Sequence, residues 1–390
     1  MLPMDTNEIL THLGEDRQKY FNAVAPPIIQ TSNFVYDSVE ALRNAITDEL
    51  NNHVYTRGNN PTVEILRKKV AALEHAEDAL ITSSGASAVS IAVISQVKAG
   101  DHIICVNKPY SWTYKLVANL LAKFGVEYTF VDGTEIDNIR NAIQPNTTLL
   151  YLESPNSLTF ELQDLEACAA LAQEHNITTI IDNSHCSPLF QNPIDYGIDL
   201  VIHSGTKYIN GHSDVVMGVI CGSKHLINEI FKSEFMTLGV NVSPHDAALA
   251  IRGLRTMNMR VNKSDKSCKQ IVDFLKPHPK VKSVIYTLDP NFPQYELAKK
   301  QMKGNGGLFT LILNVDSKEE VYTFVNNINR FLIAVSWGGY ESLMIPSITF
   351  HDMPGVPDSP IPWTYIRFYV GIEDAEFLIE DLQNALNSIS

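Results

Sequence analysis

Positive charge and paired cysteine are both scarce in this 390-residue chain. Lys and Arg number 30 against 44 Asp and Glu, a formal charge of −14. A phosphodiester backbone needs a basic face, and no basic cluster offsets the deficit, so nucleic acid is not an expected partner. The cysteines, at 105, 168, 186, 221 and 268, are odd in number and form no CxxC pair. That spacing argues against a disulfide framework or a zinc site, so no metal is expected and a reducing cytoplasm is the expected compartment. No run approaches the ~18 apolar residues that span a bilayer. The opening MLPMDTNEILTHLGEDRQ has no apolar core of signal-peptide length, so neither membrane nor export is expected.

What is present is ordinary for a globular protein: 45% hydrophobic and 19% charged residues. The length favours more than one domain. Residues 1–57 read as a polar, irregular arm with a short helix near 38–46; Pro26-Pro27 breaks any longer one. Such an arm packs on something else, and a second subunit is a natural candidate. Over 58–252, apolar strands near 80–82, 102–106, 127–131, 148–153, 178–182 and 200–202 alternate with helical patterns near 62–75, 89–96, 114–124, 136–143 and 162–174. That alternation predicts an α/β fold with a mostly parallel sheet and crossover helices. From 253 to 390 the pattern becomes a smaller α+β domain, opened by a long helix to about 275 and interrupted by the proline-rich stretch 351–362, a candidate site wall.

The stretch DLVIHSGTKYINGHSDVVMG (199–218) organises the rest. It runs from a buried strand into small and polar residues around Lys207, flanked by Ser204 and Thr206. A lysine in such a setting is poorly hydrated, and its amine can attack a carbonyl. In parallel sheets a ligand lies beyond the carboxyl ends of the strands. That rule gathers Ser84-Gly85, Tyr110, Ser154–Ser157, Asp182–His185 and Ser204–Lys207. The turn SSGAS (83–87) opens a helix whose free N–H groups suit a phosphate. Asp182 offers a carboxylate and Tyr110 a flat aromatic face. Singly, each has a plainer reading: a surface lysine, a connecting turn, an Asx turn at 182–184, a core-edge tyrosine. Together they are the inventory that holds pyridoxal 5'-phosphate (PLP).

Those elements also resemble a known family. YTRGNNPT (55–62), SSGAS (83–87), IIDNS (180–184), SGTKYINGHSDVVMG (204–218), RGLRT (252–256), SWGGYESL (336–343) and IRFYVGIED (366–374) resemble, in order, the cysteine/methionine-metabolism enzymes of PLP fold type I, the aminotransferase-like fold. The resemblance implies that Lys207 carries the cofactor and moves protons. It implies that Asp182 pairs with the ring nitrogen and Tyr110 stacks on the ring. Ser84, Gly85, Ala86, Ser204 and Thr206 would hold the phosphate, joined by Tyr55 and Arg57 from a neighbouring subunit. Arg367 would clamp a substrate carboxylate, with Ser336, Trp337 and Ser157 beside it. A homotetramer built as a dimer of dimers with shared sites is implied as well.

SWGGYESL and ESPNS (153–157) are similar to bacterial cystathionine β-lyases, whereas YTRGNNPT is closer to the γ-acting pattern. The expected reaction is therefore α,β-elimination of L-cystathionine, or a related cysteine S-conjugate, to a thiol, pyruvate and ammonia. The alternative is a γ-lyase or γ-synthase of the same fold. A non-catalytic PLP-binding regulator is the alternative from another class. A hydrolase built on Asp182, His185 and Cys186 is the weakest reading, since near-adjacent residues do not converge as a triad does.

Overall fold

The computed structural model describes residues 5–355 and 359–389. Two compact units result: the chain through Asn156 with Glu161–Asn210 and Asp214–Met257, and a second made of Ser157–Phe160, Gly211–Ser213 and the chain from Asn258 on.

The first unit is built on a seven-stranded sheet. Its strands are β1 (Asp78–Thr82), β2 (His102–Val106), β3 (Glu127–Val131), β4 (Thr147–Glu153), β5 (Thr178–Asp182), β6 (Leu200–His203) and β7 (Gly218–Gly222), in the order β1-β7-β6-β5-β4-β2-β3. The pairs β6-β5, β5-β4, β4-β2 and β2-β3 are parallel, as the alternation predicts. Every residue of β2, β6 and β7 is buried, and for the parallel strands β2 and β6 this is why they read as near-continuous apolar runs rather than alternating ones.

Sequence reading does not find β7, which inserts antiparallel between β1 and β6. A Cβ at Gly218 would lie 2.2 Å from the Ser84 carbonyl oxygen, so this register requires glycine there. The expected helix at 114–124 instead begins at Ser111, widens to a π turn over Leu116–Leu120 and tightens to a 3-10 turn at Leu121–Phe124. The expected long helix after 252 is two helices, Pro244–Leu254 and Met257–Leu275, broken at Arg255-Thr256.

The helix Pro61–Leu73 starts where its sequence directs. Asn60 caps it by accepting the Thr62 N–H at 2.9 Å, and Pro61 occupies the first turn, where no N–H is needed. Lys69 on this helix is wholly buried, and its Nζ donates to the carbonyls of Ile9 (3.0 Å) and Leu10 (3.2 Å). Glu15, whose side chain is 1% exposed, meets Lys69 at 3.2 Å, Arg17 at 3.2 Å and Arg255 at 3.1 Å. Burial pulls the Lys69 ammonium below its usual range, and Glu15 opposes that pull. The arm is thus fixed to the first unit through residues 9–17. Farther along it, Phe21, Val24, Val35 and Val39 stand exposed.

The second unit carries a five-stranded sheet of β8 (Val281–Ile285), β9 (Leu308–Leu313), β10 (Leu332–Ile333), β11 (Leu343–Pro346) and β12 (Tyr365–Tyr369), ordered β10-β11-β12-β9-β8. Sequence reading misses β11, a short strand inside a loop-like stretch. Phe309 and Phe368 stack at 5.1 Å on the paired strands β9 and β12, and Phe331 meets Phe368 edge-on at 5.0 Å. Of the expected wall at 351–362, residues 356–358 lie outside the described residues. Its flanks are tied together by Ser347 Oγ and His351 Nε2, which contact the Ile361 carbonyl at 3.0 and 2.8 Å.

Candidate active site

The cradle in the first unit grows from the carboxyl end of β1. Ser84, in extended conformation, ends the strand and caps the helix Gly85–Ile94 through a reciprocal box. Its Oγ accepts the Ser87 N–H at 3.0 Å, and Ser87 Oγ accepts the Ser84 N–H at 2.9 Å. Among the described residues the N–H groups of Gly85 and Ala86 then find no acceptor, as the first donors of a helix do unless a ligand or water meets them. A Cβ at Gly85 would sit 2.9 Å from both Cβ and Oγ of Ser204. The glycine therefore allows the loop after β6 to reach the helix start.

Among the described residues Ser204 Oγ makes no hydrogen bond, while the Ser204 main-chain N–H donates to Ser184 Oγ at 2.6 Å. Thr206 is arranged differently. Its hydroxyl donates to the Met217 carbonyl at 3.1 Å and accepts the Met217 N–H at 3.0 Å. Lys207 follows in a turn, half-buried, its main-chain N–H donating to the Ser204 carbonyl at 3.0 Å. The buried neighbours Tyr208, Ile209 and Asn210 anchor that turn.

Asp182 closes β5, half-buried, and accepts the Ser184 N–H at 2.9 Å. The Asx turn and the carboxylate at the strand end are thus both present. Tyr110 precedes the helix at Ser111, and its main-chain N–H donates to Glu153 Oε2 at 2.6 Å. Burial, then the charges of Asp182 and Glu153, push the Tyr110 phenol up, so the ring stays neutral. Tyr110 and Ala86 line one cavity of about 220 Å³, with Val89, Trp112, Lys115 and Leu116. The Lys115 ammonium lies 4.4 Å from the Trp112 ring centroid.

Behind the strand ends, His203 Nε2 and Glu74 Oε2 are 2.6 Å apart, both residues buried. Burial pushes the Glu74 carboxyl up, and His203 opposes it. Sequence reading missed this pair, and it gave no role to Ser87, Ser184 or Glu153, although each lies in a stretch it singled out. For Glu153 a signal existed: an acid ending an apolar strand.

Hydrogen bonds and near contacts thus link Ser84, Gly85, Ser204, Thr206, Lys207 and Asp182 through neighbouring segments, and the cavity is lined by Ala86 and Tyr110. Tyr55 and Arg57 are exposed and face each other, the guanidinium 5.5 Å from the ring centroid. Among the described residues, neither contacts the cradle by a hydrogen bond or ring contact. Cys186, wholly buried, has its thiol pushed well up by burial, which does not suit a nucleophile. His185 is buried beside it. Among the described residues no group of His, Cys, Asp and Glu has an arrangement that could hold a metal ion, and no helix is long and apolar enough to cross a membrane.

In the second unit Arg367 stands mid-strand in β12, between Ile345 of β11 and Thr310 of β9. Its guanidinium donates to the carbonyls of Ser157 (3.2 Å) and Ser336 (3.3 Å). Ser336 takes the left-handed conformation, φ 80°, which is costly for a residue with a Cβ. The loop that follows is held by Tyr369 Oη donating to the Gly339 carbonyl at 2.8 Å. Glu373 supports it too, accepting from the Ser342 N–H and hydroxyl at 2.8 and 2.9 Å. Trp337, within this loop, is buried.

The profile of a family described as Cys/Met metabolism PLP-dependent enzyme matches residues 7–387. The chain belongs to that family. It is accordingly a PLP-dependent enzyme, and the cradle fits the cofactor: two open N–H groups at a helix start, a free hydroxyl at Ser204, a carboxylate, an aromatic face and an amine. The L-methionine gamma-lyase of Treponema denticola is 37% identical, over 97% of this chain and 96% of its own length. The cystathionine gamma-lyase of Dictyostelium discoideum is 36% identical over 96% of each. The crystal structure of metB from Corynebacterium glutamicum superposes with a TM-score of 0.92 at 33% identity, covering 98% of both chains. The fold is PLP fold type I.

Proposed function

We propose that this enzyme is a PLP-dependent carbon–sulfur lyase of sulfur-containing amino acids, acting by γ-elimination. The observation that carries the reading is its end-to-end likeness to a methionine γ-lyase and a cystathionine γ-lyase. This favours the γ alternative over the β-elimination suggested by SWGGYESL and ESPNS. β-Elimination stays as the second reading, because Trp337 of that motif is buried in the loop that Arg367 holds.

When bound, PLP supplies an electron sink for charge at the substrate Cα. The residues would divide the remaining work. Lys207 would hold the cofactor covalently and, when its amine is free, would take the Cα proton and return protons to the product. Asp182 would keep the ring nitrogen protonated and so strengthen the sink. Tyr110, neutral, would offer its ring face. The N–H groups of Gly85 and Ala86 and the Ser204 hydroxyl would hold the phosphate; Ser84 and Thr206, whose hydroxyl protons go to Ser87 Oγ and the Met217 carbonyl, would shape the cradle around it. Tyr55 and Arg57 of a partner subunit would complete that grip, which suits their exposure. Arg367 would receive the substrate carboxylate, a planar fork meeting a planar acceptor.

A homotetramer with shared sites and a reducing cytoplasm complete the reading. The exposed apolar residues of the arm support the first, and the free, buried thiols support the second.

Product identification tests it. Methionine, cystathionine and cysteine are supplied side by side to the wild type and to Lys207→Ala. 2-Oxobutyrate from methionine or cystathionine, lost in the variant, is the expected result. Pyruvate from cystathionine would shift the reading to β-elimination. No product from any of them, with an intact cofactor band, would point to a regulator.

A further inference from the structure

We propose that Glu153 is a positioning residue of the cofactor site: its buried carboxylate fixes the main chain of Tyr110 and so sets where the phenol ring stands. The proposal rests on the reading that Tyr110 lies against the cofactor.

Glu153 is the last residue of β4 and pairs in register with Asp182, the last residue of β5. Two neighbouring parallel strands thus end in carboxylates, but the two are placed differently. Asp182 is half-buried, whereas Glu153 is only 3% exposed. The surroundings fix its backbone: its N–H donates to Gln163 Oε1 at 3.3 Å, the Gln163 N–H donates to Ser154 Oγ at 3.0 Å, and Gln191 Nε2 donates to the Ser154 carbonyl at 2.9 Å. A carboxylate held this firmly makes a rigid post.

Tyr110 needs such a post. The segment leading to it leaves β2 at Asn107, whose N–H donates to the Val131 carbonyl at 2.7 Å. Lys108 then takes a left-handed conformation, φ 55°. Pro109 has no N–H to offer, and Tyr110 lends its following helix no side-chain cap. The bond from the Tyr110 N–H to Glu153 Oε2, at 2.6 Å, is therefore what ties the residue back to the sheet. Tyr110 is 40% exposed, so packing supports only part of its ring. Orientation of the ring thus comes through its backbone, and the backbone is oriented by Glu153.

The experiment uses the PLP-loaded enzyme and three substitutions at 153. Glu153→Gln keeps an acceptor oxygen at the same reach and removes the charge. Glu153→Asp keeps the charge and withdraws the acceptor by one methylene. Glu153→Leu removes both. The readouts are the visible circular dichroism of the bound cofactor, which reports its asymmetric seating, and the Kd for PLP added back to apoenzyme. Tyr110→Ala is measured alongside, alone and combined with Glu153→Leu.

Glu153→Gln is expected within about threefold of wild type in Kd, with its dichroic band kept. Glu153→Asp and Glu153→Leu are expected to weaken PLP binding by about tenfold or more and to diminish the band. The double variant is expected to be no worse than Tyr110→Ala, since both changes remove one device. Should Glu153→Leu fail to fold, the order of Gln above Asp decides by itself. A wild-type band and Kd in the Asp and Leu variants, while Tyr110→Ala alters both, would overturn the proposal. So would the reverse order of Gln and Asp, or additive losses in the double variant. If Tyr110→Ala itself changes neither readout, the reading of Tyr110 fails and the proposal falls with it.

Discussion

Gly85 and Ser204 stand so close that any side chain at position 85 would place its Cβ 2.9 Å from the Ser204 Cβ and Oγ. The near contact joins the helix after β1 to the loop after β6, the two segments that carry the proposed phosphate donors.

Gly85→Ala should therefore act on the cofactor before it acts on the fold. Ser204 is part of a packed loop, and forcing it away costs about 1–3 kcal/mol. PLP affinity is expected to fall about tenfold to a hundredfold, measured by titrating apoenzyme. The loss in thermal stability of the apoenzyme is expected to be the smaller effect. An unchanged Kd would mean that the two segments do not grip one ligand.

Ser204 and Thr206 are both hydroxyls flanking Lys207, yet substitution should separate them. Thr206→Val removes both bonds to Met217 and leaves the Met217 N–H and carbonyl without that partner. It is expected to destabilise the protein by about 1–3 kcal/mol in urea denaturation. Ser204→Ala breaks no side-chain hydrogen bond within the chain and should leave stability within about 0.5 kcal/mol, while weakening PLP binding. Similar stability losses in both variants would contradict this division.

Acid stability offers a third test, away from the site. Glu64, on the helix Pro61–Leu73, has its carboxyl held down at about 2 by the His53 hydrogen bond first, with Lys68 adding to it and burial opposing. A carboxyl whose folded value lies below its unfolded one stabilises the protein above the unfolded value. That contribution is lost as pH falls towards the folded value. The stability gap between wild type and Glu64→Gln should therefore be widest above about pH 5, where it is about 1–2 kcal/mol after allowance for the partly exposed position. It should shrink below the ordinary value of 4.5 and vanish near 2. Urea unfolding across that range measures it, and a gap that stays constant with pH would refute the assignment.

The parallel strands β2, β4, β5 and β6 were legible because they are largely buried and so read as near-continuous apolar runs. β7 was not. Its GVICG is bounded by glycines, and what makes it a strand is a slot between β1 and β6 that only the folded sheet supplies. Likewise, Lys207, Asp182 and Tyr110 could be gathered by the strand-end rule. That rule says nothing about which hydroxyl gives its proton to Met217. Nor does it show that Glu153 reaches across to the Tyr110 main chain, since both depend on side-chain placement between distant segments. Arg367 was reached through resemblance alone. Taken in isolation, it is an arginine in the middle of a strand.

The late strand β7 has a consequence for biosynthesis. Gly218 packs on the Ser84 carbonyl, and β7 is the wedge that links β1 to β6. Ser84–Ala86 leave the ribosome early, but they cannot meet Ser204 until the chain through Gly222 has emerged and closed the sheet. Pairing over such a span is slow to form. Until then the cradle residues lie on unpaired segments, and PLP, which would bind the closed sheet, would pull it forward by mass action. The vitamin-derived cofactor would thus serve as an inspector of assembly before it serves as a reagent.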